Sequence, residues 1–130
     1  MVEAGVQAAT DITGFGLVGH LLEMLGPDLD ARLQFASIPV LDEAFDLVAD
    51  GAWPGGSQRN LISLRDSVDA EGLADTQLKI IFDAQTSGGL LVAVAPEKLD
   101  ALLEGLRARD VEFAARIGSV SEGAGRISVE

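Results

Sequence analysis

The sequence predicts an α+β domain in which a mixed sheet is covered by helices. Three observations lead there. Stretches with helical apolar periodicity are interspersed with stretches that alternate every second residue. Two strand-like stretches at the end of the chain, joined by the turn-rich residues 121–125, read as a terminal hairpin. The regular strand-helix alternation of a doubly wound nucleotide fold is missing.

The elements follow in order. After a short lead-in, a helix is expected to about Leu25, with Phe15, Val18, Leu22 and Leu25 on one face and Leu21 beside them. Gly16, Gly19, His20 and Glu23 fall on the opposite face, and Gly26-Pro27 ends the helix. Residues 31–35 alternate as a half-buried strand. Leu41, Ala44, Phe45 and Val48 mark a second helix, closed by Gly51. Residues 53–60, punctuated by Pro54, Gly55 and Gly56, read as a loop, and residues 61–75 as irregular with short helical turns. Residues 78–82 are apolar and fit either a helix or a strand.

Residues 90–95 are apolar without alternation, as in a strand buried on both faces. Pro96 suits a helix first turn, and Leu99, Leu102, Leu103 and Leu106 form the buried stripe of that helix. Residues 111–117 alternate as a strand, residues 121–125 turn, and residues 126–129 form a last, edge strand.

Composition limits the function. The chain has 130 residues, one domain's worth, and 48% are apolar, enough for a packed core. Its 21 acidic and 9 basic residues give a net charge of −12, which repels nucleic acid and anionic membrane surfaces. Cysteine is absent, so thiolate metal sites and cysteine nucleophiles are excluded. No stretch has signal-peptide or membrane-spanning character, and a cytoplasmic location is expected. Met1 leads into Val2-Glu3-Ala4-Gly5-Val6, which reads as the tail of an earlier element and so as a truncation.

Three segments can carry chemistry. In Thr10-Asp11-Ile12-Thr13-Gly14-Phe15-Gly16 an acid precedes a helix start. Helix N-termini offer free N–H groups and partial positive charge, glycine admits close approach, and a carboxylate holds a hard cation such as Mg²⁺. The same residues also suit a plain helix cap formed by Asp11 or Thr13. Gln85-Thr86-Ser87-Gly88-Gly89 offers hydroxyls and an amide at a bend, or an ordinary turn. Pro54-Gly55-Gly56-Ser57-Gln58-Arg59-Asn60 offers Arg59 as an anion anchor, or a plain surface loop. His20 is the only histidine, and no second His or Cys completes a metal site around it and Glu23.

Taken together these segments resemble selenophosphate synthetases. The run from Ala9 through Asp11, Thr13, Gly14, Phe15 and Gly16 to His20 is similar to the family signature at the start of its C-terminal domain. Pro54-Gly55-Gly56 with Arg59-Asn60 resembles its middle loop. Asp83-Ala84-Gln85-Thr86-Ser87-Gly88-Gly89-Leu90-Leu91 resembles a further segment, in which Pro is usual where Ala84 stands. The resemblance covers nearly the whole chain in the right order.

The resemblance implies that residues 1–130 are the C-terminal domain of a two-domain synthetase, in a three-layer α/β/α arrangement of the aminoimidazole ribonucleotide synthetase-like fold. It implies that the N-terminal nucleotide-binding domain is absent. The implied reaction makes selenophosphate, AMP and phosphate from ATP, selenide and water, with Mg²⁺ as the cofactor. Asp11 is the implied metal ligand, and Thr10, Asp11, Thr13, Gly14, Gly16, Gln85, Thr86 and Ser87 are the implied phosphate-binding residues. The implied partners are the N-terminal domain and, for the full-length enzyme, a second copy. The fragment alone is expected to be inactive. A sister ATP-dependent enzyme acting on a purine or thiamine precursor, and a non-catalytic homologue, remain the alternatives.

Overall fold

A computed structural model describes residues 5–130; residues 1–4, which open the lead-in read as a truncation, lie outside the described residues. Fourteen elements follow in order. They begin with β1 (Ala8–Asp11), α1 (Gly16–Leu25), β2 (Leu29–Leu33), a 3-10 turn (Phe35–Ser37) and α2 (Asp42–Ala49). Next come α3 (Gly55–Leu64), a 3-10 turn (Arg65–Ser67), β3 (Val68–Asp69) and α4 (Asp75–Ile81). The last are β4 (Leu90–Ala93), a 3-10 turn (Pro96–Lys98), α5 (Leu99–Arg107), β5 (Gly118–Glu122) and β6 (Ile127–Val129). The fold is α+β, with a mixed sheet and five helices among the described residues.

Two sheets form. β1 and β4 make an antiparallel ribbon, with Asp11 opposite Leu90. The second sheet has the order β3-β6-β2-β5, antiparallel between β2 and β5 and parallel across β6. Its inner face presents Ala31, Leu33, Val68, Ile127 and Val129 to Leu17, Val18, Leu21 and Leu25 of α1 and to Ile81, Phe82 and Leu91. Its outer face carries Asp30, Arg32, Ser119, Ser121 and Ser128, which alternation places opposite the core.

α1 lies centrally and contacts β1, β2, α3 and α4. Its left-handed Gly26 (φ 63°) returns an amide to the Leu22 carbonyl at 3.2 Å and ends the helix before Pro27. Because α1 is enclosed, burial extends beyond its apolar stripe. Gly16, Gly19 and His20, expected opposite the core, are buried. Phe15, expected in the core, is 55% exposed.

Other expectations are corrected. Residues 55–60, expected as loop, are the first part of helix α3, which runs on into the stretch expected to be irregular; Pro54 sits at its N-cap, where its missing N–H costs nothing. Residues 78–82 resolve as α4 and its cap, started by the Gln77 side-chain oxygen accepting the Ala74 amide at 2.9 Å. β4 is not buried on both faces, because it belongs to a two-stranded ribbon that leaves Leu90 62% exposed.

The alternation at residues 111–117 does not make a strand. Val111 and Phe113 are exposed, and pairing with β2 begins at Gly118. The last two strands form no hairpin: β2 lies between β5 and β6, and β6 is interior, not an edge, with β3 and β2 on either side. β1 was missed because four residues with two alanines give no readable pattern.

Candidate functional site

The β1–β4 ribbon aligns the first two candidate segments. Beyond the last strand pair the backbone contacts continue: Ile12 N donates to Gly89 O at 2.9 Å, Gly88 N to Ile12 O at 3.1 Å, and Gln85 N to Thr13 O at 3.0 Å. Residues 12–13 and 85–89 are thus stitched into one corner at the N-terminal end of α1. A Cβ on Gly88 would collide with the Ile12 carbonyl and the Gln85 side-chain oxygen, so this approach requires glycine.

Gly16 meets a second constraint. It has φ +70°, and a Cβ there would lie 2.7 Å from the Asp83 carbonyl oxygen. Its amide donates to Thr13 O at 3.0 Å and closes the turn into α1.

α3 supplies the third side. Asn60, 9% exposed, donates to the Gly14 carbonyl at 2.9 Å and the Phe82 carbonyl at 3.2 Å. Ser57, fully buried, donates its hydroxyl to Asp83 Oδ1 at 2.6 Å and accepts the Ala84 amide at 3.0 Å. All three segments singled out in the sequence therefore meet, with α3 bracing the other two. Sequence reading passed over Ser57 and Asp83 as bracing groups. Two small polar residues three apart, at Ser57 and Asn60, were the available signal, and the glycines before them hid the helix.

The side chains divide by role. Asp11 is exposed at the end of β1, and its carboxylate makes no hydrogen bond or ion pair among the described residues. No side chain caps α1: its N-cap position is Phe15, so the capping role open to Asp11 and Thr13 is not taken by either. The Thr13 hydroxyl instead lies 3.1 Å from His20 Nε2, while His20 Nδ1 lies 3.2 Å from Glu23 Oε2. The Phe15 ring packs against the imidazole at a tilt of 44°, with ring centroids 5.5 Å apart. The Thr10 hydroxyl donates to the Asp11 carbonyl at 3.2 Å. Gln85 is half-buried, and Thr86 and Ser87 are exposed.

Beside this corner, between α1 and α3, runs a groove of about 360 Å³ lined by Phe15, Gly19, Leu22, Leu64, Glu23 and Arg59, among others. The Arg59 guanidinium bends back over Gly55 and Gly56.

Mg²⁺ prefers oxygen ligands and commonly takes one or two carboxylates, completing its shell with phosphate oxygens and water. No group of three or more His, Asp or Glu that could hold a metal occurs among the described residues. Asp11 fits one carboxylate of a shared ion and does not make a self-contained site.

A sheet-and-helix domain with this corner defines the group to which the chain belongs. It matches the family described as AIR synthase related protein, C-terminal domain, over residues 1–130, and is a member of it. Among curated proteins it is 43% identical, over 131 aligned positions, to a selenide, water dikinase of Carboxydothermus hydrogenoformans, matching 100% of this chain and 38% of that protein. It is 46% identical over 127 positions to the selenide, water dikinase of Burkholderia orbicola, covering 96% of this chain and 36% of the relative. It is 51% identical over 100 positions to that of Aeromonas hydrophila, covering 76% and 28%. The chain thus spans less than two fifths of the length of these relatives.

Among the described residues no helix is long and apolar enough to cross a membrane.

Proposed function

We propose that this chain serves as the C-terminal domain of a cytoplasmic selenide, water dikinase, which makes selenophosphate, AMP and phosphate from ATP, selenide and water. The observation that carries the reading is the convergence of residues 10–16, 55–60 and 83–89 on one corner, in a chain 43–51% identical to proteins of that name. Its partners are an N-terminal nucleotide-binding domain and a second copy of the full-length enzyme.

Bound Mg²⁺ would neutralise phosphate charge as phosphoryl transfer proceeds. Asp11 is the residue of this chain that would hold it. The bracing by Ser57 and Asn60 fixes the corner before any ligand arrives, and such preorganisation makes a charged group effective. Gly14 and Gly16 allow backbone approach, and exposed Thr86 and Ser87 offer hydroxyl donors to phosphate oxygens. Chemistry needs more than this chain holds, since one unpartnered carboxylate and no metal cluster among the described residues do not position a triphosphate.

The test is an assay of selenide-dependent AMP formation with ATP and Mg²⁺, in the full-length protein and in this chain alone. Formation by the full-length protein and none by the chain is expected. Formation by this chain alone, or none by the full-length protein, overturns the reading.

A further inference from the structure

Three side chains of the corner form a relay that the proposed reaction does not by itself explain: Glu23 Oε2 to His20 Nδ1 at 3.2 Å, and His20 Nε2 to the Thr13 hydroxyl at 3.1 Å. We propose that Glu23 and His20 position Thr13, holding its hydroxyl proton inward, so that Thr13 meets the ligand as a lone-pair acceptor and not as a donor to phosphate.

An ionised carboxylate only accepts, so Nδ1 facing Glu23 carries a proton. In a neutral imidazole the other nitrogen is then an acceptor. Among the described residues the one donor within reach of Nε2 is the Thr13 hydroxyl, whose hydrogen rotates to suit its neighbour and therefore does not choose the tautomer itself. Glu23 makes the choice, from one helical turn away on α1. His20 is 9% exposed and packs against the tilted Phe15 ring, so water has little access to the imidazole. With its one proton spent on His20, the Thr13 oxygen has only lone pairs to offer. The chemical class that fits is a cation with its water shell, or an N–H or O–H group. Thr86 and Ser87, which make no such bond among the described residues, are left as the phosphate donors.

The inference rests on the dikinase reading only for its consequence in turnover, so the test has two arms. In the first, this chain is labelled with ¹⁵N and the ring nitrogens of its single histidine are observed at about pH 8, above the ordinary imidazole range. A proton on Nδ1 and a bare Nε2 are expected. Glu23→Ala, at an exposed helical position, should release a mixture of tautomers, whereas Thr13→Val should leave Nδ1 protonated. A proton on Nε2 in the unsubstituted chain, or no change in Glu23→Ala, overturns the proposal.

In the second arm, the full-length enzyme carries His20→Gln, whose amide reaches the place of Nε2, or His20→Asn, whose amide reaches only that of Nδ1. His20→Gln should retain about tenfold more kcat than His20→Asn, the value of one hydrogen bond, at matched melting temperature. Equal kcat in the two variants overturns the positioning role. Failure of the dikinase reading looks different: the unsubstituted enzyme makes no selenide-dependent AMP, while the tautomer arm still decides where the Thr13 proton lies.

Discussion

The Ser57 hydroxyl stands 2.6 Å from the Asp83 carboxylate and, from the same oxygen, accepts the Ala84 amide at 3.0 Å. One buried atom of α3 thus fixes the turn that leads into residues 85–89. Ser57→Ala removes both bonds and strands a backbone N–H, at a cost of about 1–3 kcal/mol. Thermal unfolding should show a melting temperature several degrees lower. An unchanged melting temperature would show that water replaces the hydroxyl at no cost.

Gly16 and Gly14 make a paired prediction. Gly16→Ala places a Cβ at φ +70° and 2.7 Å from the Asp83 carbonyl oxygen. The left-handed conformation alone costs about 1–2 kcal/mol, and the collision adds to it. Gly14→Ala meets nothing within 4 Å and has no positive φ. Denaturant titration should find Gly16→Ala strongly destabilised and Gly14→Ala near the parent. Equal effects would refute this account of the corner.

Asp11→Asn separates metal binding from structure. Its carboxylate is exposed and does not cap α1, so the melting temperature should not move. A neutral amide is a much poorer Mg²⁺ ligand. In the full-length enzyme AMP formation should fall by about a hundredfold, comparable to losing one preorganised electrostatic group. Normal turnover at saturating ATP would remove Asp11 from the metal site.

Asp30 governs a pH effect far from the corner. Its Oδ1 accepts the amides of Ala124 and Arg126, both at 2.8 Å, which lowers its pKa below the ordinary 3.8. A carboxyl lowered in the folded state contributes stability above its unfolded pKa, and that contribution is lost as pH falls through the folded value. Asp30→Asn should therefore be less stable than the parent at neutral pH. The gap should close progressively below about pH 4, read by melting temperature across an acid series. A gap independent of pH would assign the effect to something other than charge.

The sequence was most legible where local pattern and tertiary environment agree. In α1, Val18, Leu21 and Leu25 recur at helical spacing and are buried, and Gly26-Pro27 ends the run, so the helix could be read directly even though Phe15 does not join its face. α3 was hidden because its inward positions include Ser57 and Asn60, whose burial depends on partners at Asp83, Gly14 and Phe82 that no local window contains. Residues 111–117 erred the other way: alternation without a partner strand, since pairing is decided by β2, about 80 residues earlier. The three chemical segments were recognisable by residue type. Their meeting was not, because it depends on the β1–β4 register and on α3.

The placement of β6 bears on how the molecule assembles. β6 fills the gap between β2 and β3, and its residues 127 and 128 pair with positions 68–69 and 31–32. Until it arrives, the two flanking strands have no hydrogen-bonded neighbour on their facing edges, and the apolar side chains of Val68 and Leu33 wait beside an open slot. Closing loops of that length is entropically costly, and pairings so distant in sequence slow folding. This sheet can therefore close only once residues 127–129 have emerged from the ribosome. Through that interval the growing chain presents two unsatisfied strand edges to other chains, which makes chaperone dependence and intermolecular strand pairing the expected failure of slow or stalled synthesis.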